Sequence, residues 1–126
     1  HAIAARIATT APEDAGVLWA WRRIERECGS GSIAALAREL DCSRKHLAIR
    51  FRDQIGLPPK SIAGLARFNR ALALIGATSK PNLAAIATEA GYFDQPHFNR
   101  DFVQLAGITP SEFLRARLAD GDGVGA

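Results

Sequence analysis

Lys45, Ala48, Ile49 and Arg52 form one set of residues that could read the edges of base pairs. Pro96, Asn99, Arg100 and Val103 form another further along the chain. Each set is spaced i, i+3, i+4, i+7, so each makes a single stripe along a helix. Arg100 can donate two hydrogen bonds to guanine. Asn99 can pair with the adenine edge, and Ala48, Ile49 and Val103 can touch thymine methyl groups. Arg44, Arg50 and Gln95, with the helix-start amides at Ser43 and Asp94, are candidates to hold phosphates. His46 and His97, at the flanks of the same two segments, are further candidates for phosphate contact or for packing.

Such stripes need helices to carry them, and helix signals are dense while strand signals are absent. Pro12-Glu13-Asp14 opens a run with Val17, Trp21, Ile24 and Cys28 at helical spacing, ended by Gly29-Ser30-Gly31. Ser32 caps a short helix with Ile33, Leu36, Ala37 and Leu40 on one face. Ser43 caps the next, with Leu47, Phe51 and Ile55 inward, and Gly56 suits the left-handed position past its end. Pro58-Pro59 opens a long helix to Gly76, about 28 Å at 1.5 Å per residue. The cycle then repeats. Asn82 caps Leu83–Ala90, Asp94 caps a helix with Phe98, Phe102 and Leu105 inward, Gly107-Ile108 ends it, and Thr109-Pro110 starts the last.

The repetition extends to residue types. Ile33-Ala34-Ala35-Leu36-Ala37-Arg38-Glu39 is echoed by Leu83-Ala84-Ala85-Ile86-Ala87-Thr88-Glu89, 50 positions later. Leu47, Phe51 and Gly56 are echoed by Phe98, Phe102 and Gly107, 51 positions later, so the second copy carries one extra turn residue. The expected architecture is all-α. A first helix-turn-helix subdomain occupies residues 12–60, a linker helix 58–77 and a second subdomain 82–118, with 1–11 and 119–126 flexible. A linker of that length could set the two reading helices about one turn of DNA apart, near 34 Å.

The formal net charge of +3 is only mildly basic, but it is unevenly distributed. Arg38, Arg44, Lys45, Arg50, Arg52, Lys60, Arg67 and Arg70 gather in the first copy, against Glu39, Asp41 and Asp53. The second copy has Arg100, Arg115 and Arg117 against Glu89, Asp94, Asp101 and Glu112. Attraction to a polyanion therefore falls mainly to the first copy. Cys28 and Cys42 match no metal-ligand spacing and read as reduced, partly buried thiols. The histidines occupy matching places in separate repeats and cannot share a metal, so neither a metal, a cofactor nor an enzymatic centre is expected. No apolar run approaches a membrane span. A chain that starts at His1 and contains no Met is expected to be a fragment or a processed product. The competing reading is a helical protein-interaction module with the same fold and no DNA, in which Trp19 and Trp21 could serve an interface. Ile49 bears on this choice. It points away from the inward stripe, so it either packs on a neighbouring element or meets an apolar surface in a partner.

At Ala87-x-Glu89-x-Gly91-Tyr92-Phe93-Asp94-Gln95-x-His97-Phe98-x-Arg100-x-Phe102, followed by Gly107-Ile108-Thr109-Pro110-x-x-Phe113, the chain resembles the DNA-binding domain of the AraC/XylS family of bacterial transcription regulators. The first copy matches in Leu36-Ala37, Ser43-Arg44-Lys45-His46-Leu47, Phe51 and Gly56-x-x-Pro59, and Arg67-Phe68-Asn69-Arg70-Ala71-x-x-Leu74 is similar to the linker helix. The resemblance implies two helical subdomains on asymmetric promoter duplex, in the bacterial cytoplasm at the nucleoid. It also implies activation through RNA polymerase and a separate sensor domain through which the full protein could dimerise. Carried over by position, the base-reading candidates are Lys45, Ala48 and Ile49, and Gln95, Pro96, Asn99 and Arg100. Two departures, Ile49 where the family often has Arg and Val103-Gln104 where it tends to be basic, imply a T-rich first box, modest affinity for this fragment alone, or reliance on dimerisation through the absent part.

Overall fold

A computed structural model describes residues 12–119, and those residues are helical with short turns and no strand. The helices are α1 (Ala15–Arg26), α2 (Ile33–Glu39), α3 (Arg44–Gln54), α4 (Pro59–Gly76), α5 (Leu83–Glu89), α6 (Gln95–Ala106) and α7 (Pro110–Ala119). Residues 1–11 and 120–126, expected to be flexible, lie outside the described range. Ala119, expected in the tail, is instead the last residue of α7. The Arg117 Nη1 donates to the Ile75 carbonyl at 3.4 Å and Phe113 and Leu114 pack on the core, which secures that helix to its end.

Short polar side chains start the helices by accepting amides that have no partner inside the helix. Asp14 takes the amides of Gly16 and Val17, Ser32 that of Ala35, Ser43 that of His46, Asn82 that of Ala85 and Asp94 that of His97. At α7 the cap is reciprocal. Thr109 Oγ1 accepts from the Glu112 amide at 3.1 Å while Glu112 Oε1 accepts from the Thr109 amide at 2.8 Å. Hydrogen bonding to the Glu112 carboxyl from the Thr109 amide, and then from the Thr109 side chain, holds it below its usual range. The helix ends differ from expectation in one place. α1 stops at Arg26, and Cys28, expected on its inward stripe, is half-buried in the turn beyond it. Cys28 and Gly29 are both left-handed there, at φ 53° and 74°. Gly29 lies so close to α4 that a Cβ would collide with the Ala63 carbonyl oxygen, so only glycine fits that turn.

The chain divides into two compact units between Arg67 and Phe68, inside α4. In the first, Val17, Ala20, Trp21 and Ile24 of α1 pack with Leu36, Ala37, Leu47 and Phe51, and Ile62 and Ala63 of α4 close the core. In the second, Phe68, Ala71 and Ile75 of α4 pack with Ile86, Ala87, Tyr92, Phe98 and Phe102. The second core is aromatic: Phe102 has ring centroids 5.2, 5.7 and 5.5 Å from Phe68, Phe98 and Phe113. Buried Phe68, Ala71 and Ile75 stand 51 positions after buried Val17, Ala20 and Ile24. The duplication therefore includes the first helix of each unit, and α4 closes one copy while opening the next. Leu105, expected inward, is 42% exposed. It lies in the last turn of α6, beyond Phe102, the last buried residue of that helix.

Candidate nucleic-acid interface

In the first unit the turn before α3 is shaped by Asp41, left-handed at φ 57°, and by the Cys42 amide, which donates to the Ala37 carbonyl at 3.0 Å. Ser43 then caps α3 through its hydroxyl, 3.0 Å from the His46 amide. Leu47 and Phe51 are wholly buried, and this fixes the rotation of the helix. The opposite face presents Lys45, Ile49 and Arg52 to solvent, with Ala48 half-buried between them. Ile49 is 54% exposed. It therefore does not pack away on a neighbouring element, and an apolar group stands uncovered in the middle of a polar stripe.

Of the expected phosphate contacts around α3, Arg44 and His46 are exposed and Arg50 is not available. The Arg50 guanidinium is turned to Asp14, with Nε donating to Oδ2 at 2.8 Å and Nη2 to Oδ1 at 2.7 Å. Its Nη1 lies 3.9 Å from the Cys42 Sγ. Both ion-pair partners are one-quarter exposed. Hydrogen bonding from Arg50, reinforced by the amides at the start of α1, pulls the Asp14 carboxyl down to about 2, against the opposing cost of its burial. Asp14 in turn raises the Arg50 guanidinium above its ordinary value. Gln54 completes the clamp, its Oε1 accepting the Glu13 and Asp14 amides at 2.8 and 3.0 Å. Arg50 thus fastens the start of α1 to α3, a structural role where the sequence suggests a phosphate ligand.

The second unit repeats this geometry with different chemistry. Gly91 is left-handed at φ 97°, the Tyr92 amide donates to the Ala87 carbonyl at 3.0 Å, and Asp94 caps α6. Gln95 and Pro96 stand exposed in the first helical turn, where proline's missing N–H costs nothing. Phe98 and Phe102 are wholly buried. Asn99, Arg100, Val103 and Gln104 line one shallow open depression on the outer face, so the expected stripe is assembled along this helix. The Asp94 carboxylate is spent on the His97 amide at 2.8 Å and carries the wrong sign for phosphate, which leaves only its backbone for such a contact. His97, another expected phosphate ligand, folds onto its own helix. Its Nδ1 accepts from the Phe93 amide at 3.2 Å and its Nε2 faces the Asp101 Oδ2 at 3.5 Å. Phe93, passed over in reading the sequence, is 91% exposed. Among the described residues no three His, Cys, Asp or Glu side chains gather as metal ligands, and no helix is long and apolar enough to cross a membrane.

Comparison with known proteins bears directly on this surface. Residues 36–116, covering both second helices and the linker between the copies, match a family described as a helix-turn-helix domain. The arabinose operon regulatory proteins of Salmonella typhimurium and Escherichia coli are each 33% identical to the chain over 81 residues, 64% of its length. This chain belongs to the AraC/XylS family. It is a DNA-binding domain of that family of transcription regulators. The F1 operon positive regulatory protein of Yersinia pestis is 31% identical over 71 residues. The chain spans about a quarter of the length of these relatives, 28%, 27% and 23% respectively. Among solved structures, the C-terminal domain of AraT, a response regulator from Geobacillus stearothermophilus, superposes with a TM-score of 0.73 at 23% identity, covering 82% of this chain and 87% of that one. The xylose-binding transcription activator XylR superposes with a TM-score of 0.61 at 21% identity, over 79% of this chain and 26% of its own. Both share the AraC/XylS fold.

Proposed function

We propose that this AraC/XylS domain binds promoter duplex at two adjacent boxes, α3 reading one and α6 the other. One observation carries the reading: in α3 and α6 the inward Leu47, Phe51, Phe98 and Phe102 are wholly buried, while the opposite face of each helix offers groups that suit base edges. In α3 these are Lys45, Ala48, Ile49 and Arg52. In α6 they are Gln95, Pro96, Asn99 and Arg100. The exposed Ile49 and Val103 favour thymine methyl groups over solvent. Arg44 and His46 hold phosphates beside α3. The full regulator acts as an activator that engages RNA polymerase in the bacterial cytoplasm and dimerises through a sensor domain. The word "positive" in the name of the Yersinia relative supports activation.

The test is selection from a pool of randomised duplexes at low salt, followed by affinity measurements on the enriched DNA at increasing salt. The reading requires two short motifs about one helical turn apart, with affinity falling steeply as salt rises. No enrichment at any salt, or an affinity indifferent to salt, overturns it and leaves a protein-binding bundle.

A further inference from the structure

The two turns can be superposed residue by residue, and this locates the extra residue of the second copy. Left-handed Asp41 and Gly91 are 50 positions apart, as are Cys42 and Tyr92, whose amides donate to Ala37 and Ala87 at the same 3.0 Å. The caps Ser43 and Asp94 are 51 apart. The inserted residue is therefore Phe93. An apolar residue just before a helix cap ordinarily packs on the fourth residue of the helix, here Phe98. That place is already taken by Tyr92, whose ring centroid lies 5.1 Å from Phe98. Phe93 is left 91% exposed, the most exposed of the large apolar side chains in the described residues.

Its backbone, however, is held. The Phe93 amide donates to His97 Nδ1 at 3.2 Å. For Nδ1 to accept, the ring proton must sit on Nε2, which faces the Asp101 Oδ2. The His97 ring also stands edge-on to Tyr92 at 5.1 Å. The residues on either side are bonded too, Tyr92 to Ala87 and Asp94 to His97. The ring is thus projected from a pinned turn at the N-terminal end of α6. Pro96, Arg100 and Val103 follow one another at helical intervals along α6, and Phe93 stands immediately before the Asp94 cap of that helix.

We infer that Phe93 is a further specificity-determining residue: its ring packs on the 5-methyl group of a thymine at the edge of the box read by α6. The inference rests on α6 being a base-reading helix. Its place just before the cap of α6, the helix that carries Asn99, Arg100 and Val103, favours DNA over a protein as the occupant. A base-pair edge offers one apolar group in the major groove, the thymine methyl.

The experiment compares the wild-type chain with Phe93→Ala in the same duplex selection. Affinities follow for the enriched duplex and for that duplex with each thymine in turn replaced by deoxyuridine. The wild type should enrich thymine at one position flanking the second box. Removing that methyl should weaken it about four-fold, as expected for one buried methyl group. Phe93→Ala should lose the preference, bind several-fold more weakly and be indifferent to the same deoxyuridine, with unchanged thermal unfolding. Wild-type boxes reproduced in full by Phe93→Ala, or no single deoxyuridine that distinguishes the two chains, overturn this inference alone. Failure of the wild type to enrich any sequence overturns the reading of α6 as well.

Discussion

Replacing Asp14 tests whether α3 is held in place by a charge. The side chain does two jobs, capping α1 and pairing with Arg50, and two substitutions separate them. Asn keeps a good cap and removes the charge, whereas Ala removes both. The folded carboxyl at about 2 against an ordinary 3.8 corresponds to roughly 2 kcal/mol. Both partners keep a quarter of their surface in water, and screening brings the expected value to about 1–2 kcal/mol. Loss of the cap adds about 1 kcal/mol. Asp14→Asn should therefore destabilise the first unit by about 1–2 kcal/mol and Asp14→Ala by about 2–3 kcal/mol. The assay is urea unfolding followed by tryptophan emission. Trp19 and Trp21 are the chain's two tryptophans and both lie in the first unit, so the signal reports that unit. The folded pKa is depressed, so the contribution is complete above pH 3.8 and fades as pH falls towards 2. Asp14→Asn should lose that part of the acid sensitivity. Arg50→Ala should cost about as much as Asp14→Asn, and the double variant little more. The reasoning fails if Asp14→Asn stays within about 0.3 kcal/mol of wild type, or if Arg50→Ala weakens DNA binding with stability intact.

Gly29→Ala should destabilise the first unit by about 2–4 kcal/mol, because a Cβ strikes the Ala63 carbonyl as well as sitting at positive φ. Gly56→Ala, with open space around it, should cost only about 1 kcal/mol in the same tryptophan assay. Arg100→Ala should relax selectivity at one base pair of the second box by about 1–3 kcal/mol, while Arg44→Ala should weaken all sequences alike and flatten the salt dependence. Competition binding on single-base variants separates the two, and equal sequence-blind losses would count against Arg100 as a base reader. Ile49→Ser should leave thermal unfolding unchanged, since the side chain is 54% exposed, and should shift the first box away from thymine on reselection.

What the sequence made legible is the local grammar. Ser43, Asn82 and Asp94 precede apolar runs of helical period, and each is a cap because a short polar side chain there relieves orphan amides. Leu47, Phe51, Phe98 and Phe102 were readable as inward because aromatic and branched groups at i and i+4 must share a face. Cys28 fitted the same period, but the backbone turns left-handed at Cys28 and Gly29, where the chain meets α4 across more than thirty residues of sequence. Arg50 was illegible for the same reason. Its partner lies 36 positions away, and periodicity puts the guanidinium on a flank without saying what stands opposite. Leu105 kept the inward period on a turn that has no core left to meet. The extra turn residue was countable from the offsets, but which residue it was required the bonding of both turns.

The duplication also supplies an internal alignment. With an offset of 51, Phe51 falls on Phe102, Gly56 on Gly107 and Pro59 on Pro110. The same offset sets Lys45 on Pro96, Ala48 on Asn99, Ile49 on Arg100 and Arg52 on Val103, and not one of these outward pairs agrees. The copies have thus kept what shapes the fold and exchanged what the fold displays. Scaffold and message occupy separate alphabets on the same helix. The four outward residues of one copy should be transplantable onto the other as a cassette, carrying their sequence preference with them and leaving stability behind.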